Sequence, residues 1–472
     1  MVYMNTNTYY NKNIKKLYYE NFINYELDDM LSFYDNIPYT DLSYLNVYSI
    51  DPEGCEDVDD AFSYEYNSKN KEQYIYIHIA DPTKYIDINS QNFDKIIFNA
   101  FTRYPSNNNP LHLMPKNILE KSSLHENKEG CKKDAITIKL VFDNKNNLLD
   151  NKTKILFTKL KVNKDYKFAY NNVPIENKEI KSCLNLSNHI LKDLIYNNTS
   201  IEIKYRNKNP YFYTTSLNEL KYKKMIAKFA IYSNNFVAYY LKNKLDSNHI
   251  IFRTCPVFKD NNILQDKSIS FQNFLSFIFQ NNVSAEYNNK HSNHDILNLS
   301  EYLHMTSPIR RSVDCIIHII LKHVYLNINI PFSENDIENF INQSNIVNKK
   351  LKKIQFSDNK FRYLQIMSLC LNNFNTNESY KINFEISSTK YFKDKLNNNC
   401  VYINIFIYKI DNYDCYLSYT LKKSNITEET KDNINNNLCN KEHICNIYKS
   451  YPCNYYDEGC LPDLDNYIFN KC

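Results

Sequence analysis

Four aspartates lie within ten residues of one another, in a segment bounded by two apolar stretches. They are Asp51, Asp57, Asp59 and Asp60. Carboxylates this close repel one another and raise each other's pKa, so the segment needs either full solvation or a bound cation. The apolar stretches, 45–50 and 74–80, have the residue pattern of strands. Carboxylates at the end of a strand are typical ligands of Mg2+ in phosphoryl chemistry, so the segment predicts a metal site. A solvated acidic loop is the alternative.

A second segment, far along the chain, has the pattern of a helix start that can bind an anion. It reads Tyr-Leu-His-Met-Thr-Ser-Pro-Ile-Arg-Arg over residues 302–311. Thr306 or Ser307 is the predicted N-cap and Pro308 the predicted first helical residue; the apolar period behind them predicts a helix of about 17 residues. Free N–H groups at this helix end, together with Arg310 and Arg311, would attract a phosphate. The alternative is a capped amphipathic helix with two surface arginines.

A metal site and an anion site are the two halves of a centre that cleaves phosphodiesters, and together these segments resemble the ribonuclease II (RNB) family. This family includes ribonuclease R and the catalytic subunit of the eukaryotic exosome. Its first motif has aspartates at relative positions 0, 6, 8 and 9, the spacing found here. Its late motif, approximately Tyr-x-His-Phe-Thr-Ser-Pro-Ile-Arg-Arg-Tyr-x-Asp, matches residues 302–314 except at Met305 and Ser312. Weaker matches lie between them, in the family's order, and the resemblance covers residues 39 to about 330.

The resemblance implies an α/β (α+β) fold, with an RNB catalytic domain of mixed sheet and surrounding helices. A small β-rich module, similar to a degenerate OB-fold, would follow it. The first residues leave no room for the cold-shock barrels of related bacterial enzymes. The predicted domains are a short N-terminal extension at 1–38, the catalytic domain at 39–375, the β-rich module at 376–425 and a poorly structured, cysteine-containing polar tail at 426–472.

Residue periodicity adds individual elements to this organisation. The chain alternates like a strand at 136–141, and apolar spacing predicts long helices at 222–241 and 335–375. A short helix is predicted near 14–31. Three further strands are predicted at 380–387, 401–410 and 415–421, where apolar and polar residues alternate.

The resemblance also implies the ligands of the metal site. Asp51, Asp57 and Asp60 would hold Mg2+, or Mn2+ in its place. Asp59 would be tied most directly to the chemistry, because it would bind or orient the attacking water or a second metal ion. One departure concerns a glutamate that some relatives carry in the helix after the arginine motif, where this chain has Gln355.

Three further residues would contact RNA by the same resemblance. Arg310 would clamp the scissile phosphate, and Tyr104 would orient or stack the 3′-terminal nucleotide. Arg311 is a further RNA-binding candidate, although its proximity to Asp314 predicts a structural ion pair between them. His78 is predicted to be a hydrogen-bonded structural residue rather than a catalytic base. The family usually shows two adjacent glutamates where this chain has Ala227 and Lys228.

The implied function is that of a metal-dependent exoribonuclease that degrades single-stranded RNA 3′→5′ to nucleoside 5′-monophosphates. A catalytically weak or inactive RNA-binding protein of the same fold is the alternative. A net charge of only +4 means that RNA would be bound in a local channel rather than over the whole surface. The 13 cysteines are mostly scattered singly, which is typical of reduced thiols, and no apolar run approaches a membrane span. We therefore predict a cytoplasmic monomer that binds RNA and does not associate with membranes.

Overall fold

A five-stranded mixed sheet is the frame of the molecule in the computed structural model. The strand order is β1-β6-β5-β4-β3; β1 runs parallel to β6, and the other neighbours are antiparallel. The predicted mixed sheet is thereby confirmed. The structure describes residues 14–25, 31–106, 108–126, 130–192, 201–206, 209–256, 284–373, 379–393, 398–410, 413–435 and 442–448.

The elements alternate along the first three quarters of the chain and become mainly β-strands after that. The helices are α1 (Ile14–Tyr19), α2 (Gln91–Asn99), α3 (Lys116–Ser122), α4 (Lys178–Ser187), α5 (Leu217–Lys242), α6 (Ser312–Leu326), α7 (Glu334–Asn373) and α8 (Glu428–Asn433). The strands are β1 (Thr40–Asp41), β2 (Ser49–Asp51), β3 (Asp60–Asn67), β4 (Glu72–Ala80), β5 (Lys132–Phe142), β6 (Lys154–Lys161), β7 (Lys167–Ala169), β8 (Ile201–Arg206), β9 (Asn209–Thr214), β10 (Phe252–Thr254), β11 (Glu286–Asn288), β12 (Ser379–Lys393), β13 (Asn399–Ile410), β14 (Tyr413–Ser424) and β15 (Glu442–Tyr448).

The strand and long helices predicted from periodicity are present as β5, α5 and α7. Helix α5 begins at a capping box, in which Ser216 and Glu219 each satisfy a main-chain N–H of the other. Helix α6 is apolar over most of its circumference and is buried from Ser312 to Lys322. A helix of this kind has to lie inside the molecule, and α6 packs against α2 and α7. The predicted short helix near the N-terminus is confirmed only for α1.

His78 lies on β4 inside the sheet and is a structural residue, as predicted. Its side chain is inaccessible to solvent. Nδ1 lies 2.9 Å from the Thr137 hydroxyl, and Nε2 lies 3.0 Å from the Ser63 hydroxyl. Burial lowers the pKa of His78 to about 3, so the imidazole is neutral and serves to join β3, β4 and β5.

A fully buried ion pair joins the end of β4 to α6. Lys322 Nζ lies 2.8 Å from Asp81 Oδ1 and also donates to the Thr83 hydroxyl at 2.8 Å. Both charged side chains have no solvent exposure. Burial alone would raise the pKa of Asp81, but the Lys322 ammonium and His318 bring it below its usual value. One turn earlier on α6, His318 Nε2 lies 2.7 Å from the Met305 carbonyl, and so the same helix holds the segment before it.

Lys228, which replaces one of the family's paired glutamates, has a structural role on α5. The side chain is 4% exposed, and Nζ donates to the carbonyls of Ser187 at 3.1 Å and Ile190 at 2.8 Å. These carbonyls lie at and just beyond the C-terminal end of α4, where main-chain acceptors lack helical partners. The departure from the family pattern therefore gives α5 a buried cation that caps a neighbouring helix.

An antiparallel sheet of order β14-β13-β12-β15 forms the C-terminal part of the described chain. The three strands predicted after residue 380 are confirmed as β12, β13 and β14. The prediction of a poorly structured tail is wrong for α8 and β15, since β15 pairs with β12. Cys439, Cys453, Cys460 and Cys472 of the tail lie outside the described residues. In the part of the chain that is described, no helix is both long and apolar enough to cross a bilayer.

Candidate active site

An open cavity of about 1140 Å3 lies between the acidic segment, α5 and the residues that lead into α6. The predicted site residues were drawn from three separate parts of the sequence, and all of them line this one cavity. They are Asp51, Asp57, Asp59, Asp60, Tyr104, Arg310 and Arg311. Helix α5 lines the cavity with apolar side chains, including Ala227 and Ile231, and with two polar ones, Lys223 and Asn234.

The four aspartates lie on the connection between β2 and β3. Asp51 ends β2 and Asp60 begins β3. Gly54 turns the chain between them with φ of 79°, a backbone conformation that residues other than glycine rarely adopt. Asp57 is 8% exposed and Asp59 is 3% exposed. The alternative of a fully solvated acidic loop is therefore wrong for Asp57 and Asp59, whose carboxylates need partners, although Glu53 and Glu56 are exposed.

Burial holds three of these carboxyl groups at unusually high pKa, and repulsion from neighbouring carboxylates adds to the effect at Asp51 and Asp59. Burial raises the pKa of Asp51 well above its usual value, and Asp60 adds to this. Burial also raises the pKa of Asp60 to about 6 and that of Asp59 to about 7, although Arg310 opposes both. A cation among these side chains would stabilise their ionised forms.

Lys167 brings a positive charge to the acidic segment that the local sequence does not predict. It lies at the start of β7, which pairs in parallel with β2 and places Lys167 opposite Ser49. Its Nζ donates to the Cys55 carbonyl, and its charge lowers the pKa of Asp51 against the effect of burial. Strand pairing more than one hundred residues away in sequence therefore supplies this charge.

The acidic segment has the donor chemistry of a site for a hard divalent cation, and the surroundings of the Asp51 carboxylate favour one there. Its Oδ2 is buried and has no hydrogen-bond partner among the described residues. An unpaired buried carboxylate oxygen is costly, and a metal ion is a natural partner for it. No three His, Cys, Asp or Glu side chains in the described part of the chain are arranged as ligands of one metal ion. Asp57 and Asp59 instead accept hydrogen bonds from side chains and main chain of the protein itself.

Arg310 forms an ion pair with Asp59 across the cavity. Its Nε lies 2.8 Å from Asp59 Oδ2, and Nη2 donates to the Ser307 hydroxyl at 2.8 Å. The Arg310 side chain is 44% exposed, whereas that of Asp59 is 3% exposed. Burial would lower the pKa of Arg310, but the Asp59 carboxylate raises it, so the guanidinium stays charged. A half-exposed guanidinium facing a cavity is available to a phosphate.

The helix start predicted at Thr306 to Pro308 is wrong, because α6 begins at Ser312 with Arg311 at the N-cap position. The physical reason is that carboxylates take the N–H groups of this segment. Ser307 N donates to Asp314 Oδ1 and Ile309 N donates to Asp59 Oδ1, each at 2.8 Å. These N–H groups are therefore not free for a phosphate, and the segment forms a turn ahead of the helix.

Arg311 forms the structural ion pair that was predicted for it. Its Nη2 lies 2.9 Å from Asp314 Oδ1, and Asp314 is fully buried. Because the same oxygen also accepts from Ser307 N, the pair braces the turn that carries Arg310. Arg311 still lines the cavity, so its predicted RNA contact stays a prediction.

Tyr104 presents its ring to the cavity with 38% exposure, and its hydroxyl donates to Asp57 Oδ2. It directly follows Arg103, which pairs with Leu111 in an antiparallel bridge. Gln355, on α7, is exposed and is not among the residues that line the cavity. Asp358, one turn further, is buried and accepts a hydrogen bond from Ser106 N at 3.2 Å, close to Tyr104.

The sequence matches the RNB domain family over residues 39–327, which is more than half of the chain and includes the four aspartates, Tyr104, Arg310 and Arg311. The chain belongs to the RNB domain family. It has the fold of the RNB-family exoribonucleases, as the two motifs predicted.

Individual relatives agree with this assignment. The chain is 26% identical to Exoribonuclease 2 of Buchnera aphidicola subsp. Cinara cedri (strain Cc) over 373 residues, which are 67% of this chain and 55% of the relative. It thus spans about half the length of that curated relative. It is similar to Mycoplasma genitalium RNase R in complex with ribose methylated single-stranded RNA, with a TM-score of 0.61, 17% identity, and coverage of 88% of this chain and 76% of that one. It is also similar to yeast Ssd1, a pseudonuclease, with a TM-score of 0.60, 13% identity, and coverage of 80% and 55%. At these identities the two structures show the fold alone.

Proposed function

We propose that this RNB-domain protein is a metal-dependent 3′→5′ exoribonuclease that releases nucleoside 5′-monophosphates from single-stranded RNA. The observation that carries the proposal is that four aspartates, Arg310 and Tyr104 line one cavity. Carboxylates for a metal, a guanidinium for the scissile phosphate and an aromatic ring for the terminal base are what such a reaction needs in one place.

In this mechanism Asp51, Asp57 and Asp60 would hold a divalent cation, Mg2+ or Mn2+, and Asp59 would orient the attacking water. A cation held there would supply the activation of water and the offset of charge on the leaving oxygen. Arg310 leaves Asp59 to contact the scissile phosphate, where it stabilises negative charge in the transition state. Tyr104 holds the 3′-terminal nucleotide against the carboxylates.

The assay that tests this proposal uses single-stranded RNA labelled at its 5′ end, with Mg2+ and then with EDTA. We expect 5′-monophosphates to accumulate as the labelled strand shortens from its 3′ end, and no turnover in EDTA, because the carboxylates then lack their cation. Restoring Mg2+ in excess of EDTA should restore turnover. A circular RNA of the same sequence is the matched control, and its cleavage into internal fragments would exclude an exonuclease.

One observation favours a second candidate, an RNA-binding protein of this fold with weak or no catalysis. The Asp59 carboxylate is neutralised by Arg310 and also accepts from Ile309 N. A same-fold relative, yeast Ssd1, is described as a pseudonuclease. Tight RNA binding without monophosphate release in the assay above would select this candidate.

Substitution of Arg310 by lysine separates a catalytic role from a structural one. Lysine keeps the charge but loses the planar fork that reaches Asp59 and Ser307 together. If Arg310 stabilises the transition state, kcat should fall on the order of tenfold to a hundredfold with little change in KM. Steady-state kinetics and thermal unfolding of the same sample provide the measurement. An unchanged kcat in a stable variant would mean that Arg310 only stabilises the turn ahead of α6.

The remaining predictions concern the protein in the cell. The monomeric state, the cytoplasmic location and the absence of membrane association stay predictions from the sequence. In the described part of the chain, the cysteines found free are Cys55, Cys131, Cys183, Cys255, Cys315 and Cys400. Free thiols are in keeping with a reducing compartment.

A further inference from the structure

The ribbon that leads to Tyr104 has two faces with different neighbours. It consists of residues 101–104 and 110–113, joined by two main-chain hydrogen bonds between Arg103 and Leu111. Successive side chains of an extended strand point to opposite sides. Tyr104, Pro110 and His112 accordingly line the cavity, whereas Phe101 and Leu111 pack on the other side against a small cluster. The core of that cluster is Tyr18, Leu351 and Ile354.

Arg103 projects to this second face and forms hydrogen bonds there with the N-terminal segment, residues 14–25. It is 5% exposed. Its Nη1 donates to the carbonyls of Tyr18 at 2.6 Å and Glu20 at 2.8 Å, and Nη2 donates to the Asn21 carbonyl at 3.4 Å. The guanidinium carbon also lies 5.0 Å from the centre of the Phe22 ring. A planar fork that meets several carbonyls at once holds the backbone on both sides more rigidly than apolar packing does.

A second contact ties the same segment to the residues just after Tyr104. Asp358, on α7, is 1% exposed. Its Oδ2 accepts from the Tyr18 hydroxyl and from Ser106 N, each at 3.2 Å. The chain on both sides of Tyr104 is therefore attached to the N-terminal segment, directly through Arg103 and through Asp358 to Tyr18.

We propose that the N-terminal segment, acting through Arg103, is the positioning element for Tyr104 and so determines how firmly the 3′-terminal nucleotide is held. The inference rests on the proposed function, because Tyr104 holds that nucleotide only if the cavity binds RNA by its 3′ end. Arg103 does not contact the RNA itself; it acts on Tyr104 through the ribbon. If Arg103 lost its hydrogen bonds to these three carbonyls, the ribbon would no longer hold the Tyr104 side chain in a fixed position.

The test measures the contribution of the terminal base to RNA binding, in EDTA, so that no cleavage occurs. Two single-stranded RNAs of equal length are compared by fluorescence anisotropy, one intact and one with an abasic 3′-terminal nucleotide. Stacking on an aromatic ring should make the intact RNA bind wild-type protein on the order of tenfold more tightly. We expect this ratio to fall close to one in Tyr104→Ala and also in Arg103→Met.

Lys228→Met is the matched control. Lys228 is likewise a buried cation that donates to main-chain carbonyls, but those carbonyls cap α4. Lys228→Met should lose stability as Arg103→Met does, because each substitution leaves buried carbonyls unpaired. It should nevertheless keep the wild-type ratio of the two RNA affinities. If Arg103→Met fails to fold, Arg103→Gln is measured instead, since the amide can still donate to one carbonyl; its ratio should also fall several-fold.

The outcomes separate this inference from the proposed function. A wild-type ratio near ten that persists in the folded Arg103 variant overturns the inference and leaves the proposed function intact. A wild-type ratio near one removes Tyr104 from the binding of the terminal base; it overturns the inference and the role of Tyr104 in the mechanism, whereas the activity itself is decided by the cleavage assay. A ratio that falls equally in Lys228→Met would make the effect one of general stability and would also overturn the inference.

Discussion

Asp59→Asn is expected to lower kcat by a factor on the order of a hundred or more, because an amide cannot supply the negative charge that the water or a metal ion needs. The fold should be retained. Asparagine has the same size, and its carbonyl oxygen can still accept from Ile309 N, the donor now 2.8 Å away. Burial raises the pKa of Asp59 to about 7, so a neutral side chain at this position removes the free-energy cost of burying a charge.

The measurement combines single-turnover cleavage of labelled RNA with RNA affinity and thermal unfolding. Asp94→Asn is the matched control, since Asp94 lies exposed on α2 and undergoes the same chemical change away from the cavity. We expect wild-type rates in the control, and near-wild-type RNA binding in both variants. A rate within about threefold of wild type in Asp59→Asn would remove Asp59 from the chemistry.

Lys322→Met is expected to destabilise the protein by about 3–5 kcal/mol, the largest effect that we expect from a site outside the cavity. Methionine fills much of the same space, but it leaves the Asp81 carboxylate buried without its cation. Asp81 is inaccessible to solvent and its Oδ2 already has no partner among the described residues. The free energy of unfolding, measured by urea denaturation, is the quantity to compare.

Two controls identify the cause of that loss. Lys116→Met breaks an ion pair whose side chains are 83% and 58% exposed, and it should change the free energy of unfolding by less than about 0.5 kcal/mol. The double variant Asp81→Asn/Lys322→Met should recover part of the stability, because no buried charge then remains. Equal losses in the single and double variants would mean that packing of Lys322, rather than its charge, stabilises α6.

The parts of the site that the sequence predicted are those whose residues are close together in the chain. The aspartate spacing and the Arg310 motif each lie within one short segment, and all these residues line the cavity. The start of α6 was mispredicted because Asp59, 250 residues before Ile309, takes one of the N–H groups that a local pattern assigns to the helix end. Capping preferences describe a helix end by itself and cannot include a carboxylate from a distant strand.

The residues that the sequence did not predict depend on distant pairing. Lys167 reaches the acidic segment only because β7 pairs with β2, and Asp358 reaches Ser106 from 252 residues away. Arg103 carried no signal, since its partners are main-chain carbonyls, which every residue has. Lys228 did carry a signal in the sequence, because a lysine in place of a family glutamate indicates that the surroundings of this position have changed. Three strands of the C-terminal sheet were predicted from alternation, whereas β15, separated from them by a polar stretch, was not.

The hydrogen bond between Tyr18 and Asp358 joins positions that are 340 residues apart, and this has a consequence for the order in which the protein matures. During synthesis the four aspartates and Tyr104 leave the ribosome early, whereas α7 follows only after most of the chain has been made. A growing chain can therefore build its mixed sheet and its Arg103 contacts and still lack the second support behind Tyr104, the one through Asp358. The contact through Asp358 forms only when α7 docks, and so the translation of α7 sets the earliest moment at which a newly made molecule has both supports behind Tyr104 in place.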